Sequence, residues 1–256
     1  MGVPAPRRAA RDPRAPGQRR DACLTLGLVV FAGAVSGPVD DYAGGLFWVH
    51  MTQHVMILTV AAPLIALGAP WRFTPRWLSS WWLRSWWSGR FEGRGVILPA
   101  AVGAWVAFAA ALLAFHLPVL YDAAIRHLWV HLVEHAVFLG TAVWFWAAVF
   151  DARSFRTGPA ELWRAGYVLA AAAVGWLLAL VLTFAPEPLY SEYARLGSRP
   201  GGISAITDQQ LAAGVMLVPG SITFLVVAGL VLVRWLGSEV PEPVAQSPKR
   251  HEEMRA

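Results

Sequence analysis

The sequence predicts an all-α protein, a polytopic transmembrane helical bundle of about six spans with both termini cytoplasmic. Three observations predict it. The chain is 57% hydrophobic and 14% charged, with a mean hydropathy of +0.49, far from the composition of a soluble domain. Its apolar residues gather into six runs, and a helix of about 20 residues crosses a hydrocarbon layer of about 30 Å. Its Lys and Arg residues are partitioned between alternate loops, a topology signal. The lone cysteine, Cys23, excludes a disulfide framework and any paired-cysteine metal or redox motif. The net charge of +5 does not mark a nucleic-acid binder, because the basic residues cluster between apolar runs. The surface that such a chain meets is the lipid bilayer.

Taken in order, residues 1–21 are rich in Arg, Pro and Ala and read as a disordered basic tail. The first span is near 23–39, short and Gly-rich. A cleaved signal peptide is the competing reading, but a retained helix fits the charge partition better. Five further spans follow near 46–67, 96–117, 128–150, 165–185 and 209–235, within a membrane domain of residues 22–236. They are too long and continuous for barrel strands. Pro63 and Pro219 fall inside spans and should kink them, leaving freed carbonyls for neighbours or water to satisfy. "WRFTPRWLSSWWLRSWW", residues 71–87, interleaves Trp with Arg and reads as an interfacial helix at the headgroup level. Residues 237–256 form a disordered tail.

With six spans, eighteen of the 21 Lys and Arg residues fall on one side, in the N-terminal tail, loops 68–95 and 151–164, and the C-terminal segment. Only Arg126, Arg195 and Arg199 fall on the other. That split places both termini inside.

Topology then gives the polar residues a depth. His50 and His54 lie in the outer part of span two, His116 at the outer end of span three, and His127, His131 and His135 in the outer half of span four. Six of the seven histidines share one layer; His251 lies in the tail. At 100° per residue, His50 and His54 share a face, and His127, His131 and His135 descend another with Glu134 beside them. Imidazoles at i, i+4 are a common way to present two ligands to one metal, and neutral imidazole suits copper, zinc, iron and nickel. Met51 and Met56 lie near the first pair and add soft thioethers, but neither shares the face of both His50 and His54. A carboxylate within a span costs on the order of 3 kcal/mol, so Glu134 should orient a ligand histidine from behind or pair with Arg126, eight residues away. Thr207-Asp208-Gln209-Gln210 has capping-box spacing with Thr207 as N-cap. Asp208, with Asp40 and Asp41 on the same side, could also serve a cation.

Four stretches in order, "GPVDDYAGGLFWVHMTQHVMILTVAAPLIALGAP", "AFHLPVLYDAAIRHLWVHLVEHAVFLGTAVWFW", "PLYSEY" and "TDQQLAAGVMLVPGSITFL", resemble the CtaG-type (caa3-type) cytochrome c oxidase assembly factors of bacteria, over about residues 24–236. The family's HMxQH pattern maps onto His50, Met51, Gln53 and His54, its HLP onto His116 to Pro118, its HxxxH and EH onto His131, Glu134 and His135, and its DQQLAG-like pattern onto Asp208 to Gly214. Gly37, where a serine often stands, and Ala213 are small departures. The resemblance implies a multi-pass protein of the bacterial inner (plasma) membrane. Its partners would be cytochrome c oxidase subunits, and its role in maturing the oxidase would be that of a metallochaperone rather than an enzyme.

On this reading copper is the cofactor, with His50, His54, His116, His127, His131 and His135 as candidate ligands and Glu134, Asp40, Asp208, Gln53 and Met51 supporting them. Three alternatives stand beside it. One is a noncovalent haem or electron-transfer protein with axial histidines from spans two and four. Another is a metal-dependent enzyme with Glu134 as base, although HxxxHxxEH is not the HExxH order. The last is a scaffold whose histidines only hydrogen-bond between helices.

Overall fold

The computed structural model describes residues 15–69, 99–151, 160–197 and 199–238. The Trp-rich stretch at 71–87, the outermost tails and most of loop 151–164 lie outside the described residues. Regular structure among the described residues is helical throughout. In chain order the helices are α1 (Ala15–Ala34), α2 (Pro38–Ala43), α3 (Phe47–Val55), α4 (Ala62–Gly68), α5 (Pro99–Phe115), α6 (Pro118–Arg126), α7 (Leu128–Phe150), α8 (Ala160–Phe184), α9 (Ser191–Ala194), α10 (Ala205–Leu217) and α11 (Pro219–Ser238). A π-helical turn, Met56–Ala61, joins α3 to α4.

Among the described residues, four helical segments are long and apolar enough to cross a membrane: Phe47–Gly68, Leu128–Phe150, Ala160–Phe184 and Ala205–Gly237. A fifth arises if the bent pair α5 and α6 counts as one. Their outward faces carry exposed Leu177, Val181, Ile222, Val226, Leu230 and Val233, the surface that lipid requires. Span four matches its expected bounds, and the second, fifth and last differ from theirs by a few residues.

The first span departs from expectation. α1 begins at Ala15, within the stretch read as tail, and carries Arg19, Arg20 and Asp21 in its first turns. It ends at Ala34 rather than near 39, because Gly37 takes a left-handed φ of 69° and Pro38 opens a new helix. Its apolar part, residues 22–34, is only about 20 Å long at 1.5 Å per residue. α1 nevertheless packs tightly along α4. A Cβ at Gly27 would stand 2.8 Å from the Ile65 side chain, and one at Gly68 would stand 2.7 Å from Leu24. Only glycine allows this approach, as at many helix contacts in membranes. The third expected span also divides. α5 stops at Phe115, and His116-Leu117-Pro118 turns the chain by 72° into α6. Leu117 is extended (ψ 131°), as a residue before proline prefers, and Pro118 starts the next helix.

The main core lies between α4, α5, α7, α8 and α11, built on Phe108, Phe138, Phe145, Trp146, Tyr167 and Phe224. Pro63 does disturb its helix, and the structure shows what satisfies the freed group. In a π turn the donor five residues on would serve the Leu58 carbonyl, and at that position Pro63 has no N–H. The indole Nε1 of Trp146 on α7 fills the gap, donating to that carbonyl at 2.8 Å. Pro219 acts more gently: α10 ends at Leu217, α11 starts at once, and the two remain nearly continuous over 33 residues. Trp146→Phe keeps the ring and removes the donor. It should lower stability by about 1–3 kcal/mol, read as a lower unfolding midpoint in detergent with helical content intact. An unchanged midpoint would show that water satisfies Leu58 instead.

Candidate metal centre

α3, α7 and α10 begin, and α5 ends, at one end of the bundle, so their polar residues meet there. His50 and His54 lie on successive turns of α3, with exposures of 0% and 2%, and their Nε2 atoms are 2.9 Å apart. Glu134, on α7 and also fully buried, faces both: Oε2 lies 3.6 Å from His50 Nε2 and Oε1 3.5 Å from His54 Nε2. It therefore faces both imidazoles directly, in one group with them, and could offer an oxygen beside their nitrogens. Arg126 pairs instead with Glu192 at 3.3 Å.

His131 and His135, one turn apart on α7, bring their rings to 4.2 Å of each other. They reach 5.0 Å (His131) and 6.4 Å (His135) from the His50 ring. His135 is also 5.6 Å, and His116 6.2 Å, from His54. Five of the six expected histidines thus converge. His127 does not. It is the N-cap of α7, with φ −129° and ψ 109°, and is exposed. Four-residue spacing places side chains together only where both residues are helical, so the ladder ends at His131.

The tautomers follow from the hydrogen bonds. The buried Tyr193 hydroxyl donates its one proton to the Ala43 carbonyl and so accepts from His50 Nδ1 at 3.2 Å. Burial pushes the Tyr190 and Tyr193 hydroxyls well above their ordinary pKa, so both stay protonated. His116 Nδ1 donates to the Leu112 carbonyl at 2.7 Å. Both rings therefore turn a bare Nε2 lone pair inward, the arrangement in which a metal-binding imidazole is held by its other nitrogen. The Nε2 atoms of His116, His131 and His135, Nδ1 of His54 and both Glu134 oxygens are buried without a hydrogen-bond partner.

Among the described residues, two groups bring one ligand atom from each residue within 4.8 Å of one another: His50, His131 and His135, and His50, His54 and Glu134. A tetrahedral ion with bonds of about 2.0–2.1 Å sets its ligands about 3.4 Å apart. The separations of 2.9, 3.5 and 3.6 Å in the second group bracket that value.

The remaining polar residues frame this centre. Asp208 is 1% exposed and accepts from the Phe47 and Trp48 amides, each at 3.0 Å. It thereby caps α3, the helix that carries His50 and His54, and Arg199 Nε lies 3.5 Å from it. Its own helix is capped by Ser204, which accepts from the Thr207 amide at 3.1 Å, so Thr207 is not the N-cap. Gln209 accepts from the Leu189 amide at 2.8 Å and donates to the Leu182 carbonyl at 2.9 Å, holding the turn after α8. Gln53 donates to the Ala34 carbonyl and to Asp40, each at 2.9 Å, which ties α2 to α3 and leaves Asp40 outside the donor groups. Met51 is fully buried among Phe47, Tyr121 and Tyr190 and, with His54 and His116, lines an apolar cavity leading inward. Met56 packs on the main core.

A family profile described as cytochrome c oxidase caa3 assembly factor matches residues 1–238. The chain belongs to this family of assembly factors. No curated protein and no solved structure matched it. In this assembly factor the four resembling stretches meet in space, and each has a definable task. The first and second carry the clustered histidines and Glu134, while "PLYSEY" and "TDQQ" hold the segments around them. Asp122, in the second stretch, receives Ser191 Oγ at 2.6 Å and the Glu192 amide at 3.2 Å, and so fixes α9 with Tyr193 over His50. The sequence reading missed Tyr193 and Asp122. Aromatic and acidic residues in a short loop between spans were the available signal.

Asp208→Ala should speed hydrogen exchange at the Phe47 and Trp48 amides and cost about 1–2 kcal/mol. Unchanged protection of these amides would remove the cap from the account.

Proposed function

We propose that this assembly factor binds copper through its buried histidine cluster and Glu134, and supplies the ion to cytochrome c oxidase subunits as a metallochaperone without catalytic turnover. It does so as a multi-pass protein of the bacterial inner membrane, with six passes and both termini cytoplasmic. One observation carries the metal reading. Bare imidazole nitrogens and a carboxylate converge at the spacing of a metal's ligands while lacking hydrogen-bond partners. Each buried polar group left unsatisfied costs about 1–3 kcal/mol, and a bound cation removes that cost for several at once. The imidazole-rich donor set suits copper among the first-row metals, and an oxidase assembly family supplies a client that uses it. The charge partition supports the orientation, and in that orientation the cluster faces outward. Imidazole rings already packed at 4.2–5.0 Å favour a bare ion over the alternative noncovalent haem, which must slide a macrocycle between its axial ligands.

His50→Ala and His54→Ala should each reduce copper retained by the anaerobically purified protein on the order of tenfold or more. Each should also lower oxidase activity in cells that depend on this factor. His127→Ala should match the parent in both. Full copper content and normal oxidase in the His50 and His54 variants would overturn the proposal.

A further inference from the structure

His50 belongs to both donor groups, the one with His131 and His135 and the one with His54 and Glu134. A neutral imidazole whose Nδ1 proton is held by a hydroxyl has a single nitrogen lone pair. His50, bonded through Nδ1 to Tyr193, therefore serves one ion at a time. We infer that the two groups are alternative positions of a single cuprous ion: an outer position (His50, His131, His135), where the ion arrives, and an inner position (His50, His54, Glu134), where it is held. His50 stays bound as the ion moves from one to the other. The inference rests on the copper reading above.

Exposure sets the order. His131 is half-buried, whereas His135, His54, His50 and Glu134 are 4%, 2%, 0% and 0% exposed. The His131 Nε2 is covered like the other donor atoms, but its ring is the one of the five that keeps an exposed part, so an ion from solvent meets that ring first. The exposed Asp40 lies close enough to act electrostatically on both His131 and His50, which draws a cation to that side. Charge sets the direction. Three neutral imidazoles leave the charge of the ion uncompensated in an apolar surround. The inner position adds the Glu134 carboxylate, and opposite charges in contact attract far more strongly there than in water. Arrival is thus shallower and weak, and holding is deeper and tight.

The transfer is a ligand exchange with no change of oxidation state. His131 and His135 release the ion, while His54 Nε2 and a Glu134 oxygen bind it. The proton shared between the His50 and His54 Nε2 atoms moves to His54 Nδ1, which has no other partner. The two residues unique to the outer position therefore govern how fast copper enters, and the two unique to the inner position govern how tightly it stays.

The test uses full-length protein in detergent and the coloured bis-bicinchoninate complex of Cu(I) as donor, whose bleaching reads both rate and end point. His131→Ala should slow loading about tenfold or more while leaving the end point within about twofold, and Glu134→Gln should keep the fast phase but weaken retention about tenfold or more. His131→Gln, which keeps a polar side chain there, should repeat the slow loading. Variants at His131 and Glu134 that lower the end point alike at parental rates would overturn the two positions and leave a single site. Parent protein that takes no copper from the complex would overturn the copper reading itself.

Discussion

Glu134 is the constraint on which the polar end of this bundle depends. A carboxylate with no exposed surface, facing two imidazole nitrogens at 3.5 and 3.6 Å and receiving no hydrogen bond, is among the most costly groups that a membrane helix can carry. Hydrogen bonds between helices do not require this geometry. A scaffolding role would place the oxygens at about 2.8–3.0 Å from donors, and the sequence has serines and threonines that could serve. The separations of 3.5 and 3.6 Å are longer than that and leave both oxygens without a donor. His50 and His54 are half satisfied: their Nε2 atoms share one proton at 2.9 Å, and the other nitrogen of His54 is left bare.

Everything around Glu134 serves to keep the donors still. α3 would fray at its start, since its first amides have no partner within the helix. Asp208 reaches in from a helix 160 residues on and binds two of those amides at once. Tyr193 fixes the ring of His50, and Asp122 fixes the segment that carries Tyr193. Tyr190 donates to the His116 carbonyl at 3.1 Å, so the turn that presents His116 is tied to the same segment. The short helices α2, α6 and α9 are thus a polar and aromatic cover. Tyr121 of α6, Tyr193 of α9 and Tyr190 at the N-cap of α9 pack with Phe47 at the start of α3, where lipid headgroups or water would otherwise reach the site.

Much of this was legible in the sequence, for reasons that differ by residue. The long apolar runs marked helices close to their bounds in the structure, because a sustained apolar run of that length has few other ways to satisfy its backbone. His50 and His54 fell together because both are well inside a helix, and so did His131 and His135. His127 failed because its backbone is extended, and nothing in a four-residue spacing signals where a helix starts. The first span was misjudged because an apolar run does not reveal that Gly37 will turn left-handed. Asp208 looked like part of a local capping motif, since local spacing cannot show a side chain that caps a distant helix. Tyr193 was invisible for the same reason: its value lies in contacts at 143 and 150 residues' separation.

The π turn sits directly after the donor helix, and its placement connects the packing to the site. An extra residue per turn between Val55 and Ala62 shifts the faces of α3 and α4 relative to each other. α4 can then lay Gly68 against α1 and its core face against α7 while α3 still aims His50 and His54 at Glu134. A regular helix of the same length could satisfy one of these demands, but both faces are fixed, one by the glycine contact and the other by the carboxylate. Trp146 makes the irregularity tolerable by occupying the Leu58 carbonyl that the turn and Pro63 leave open. It stands on α7, the helix that also carries Glu134, His131 and His135. One helix therefore both supplies the donors and stabilises the distortion that aims their partners, so the position of α7 sets the geometry of the whole centre.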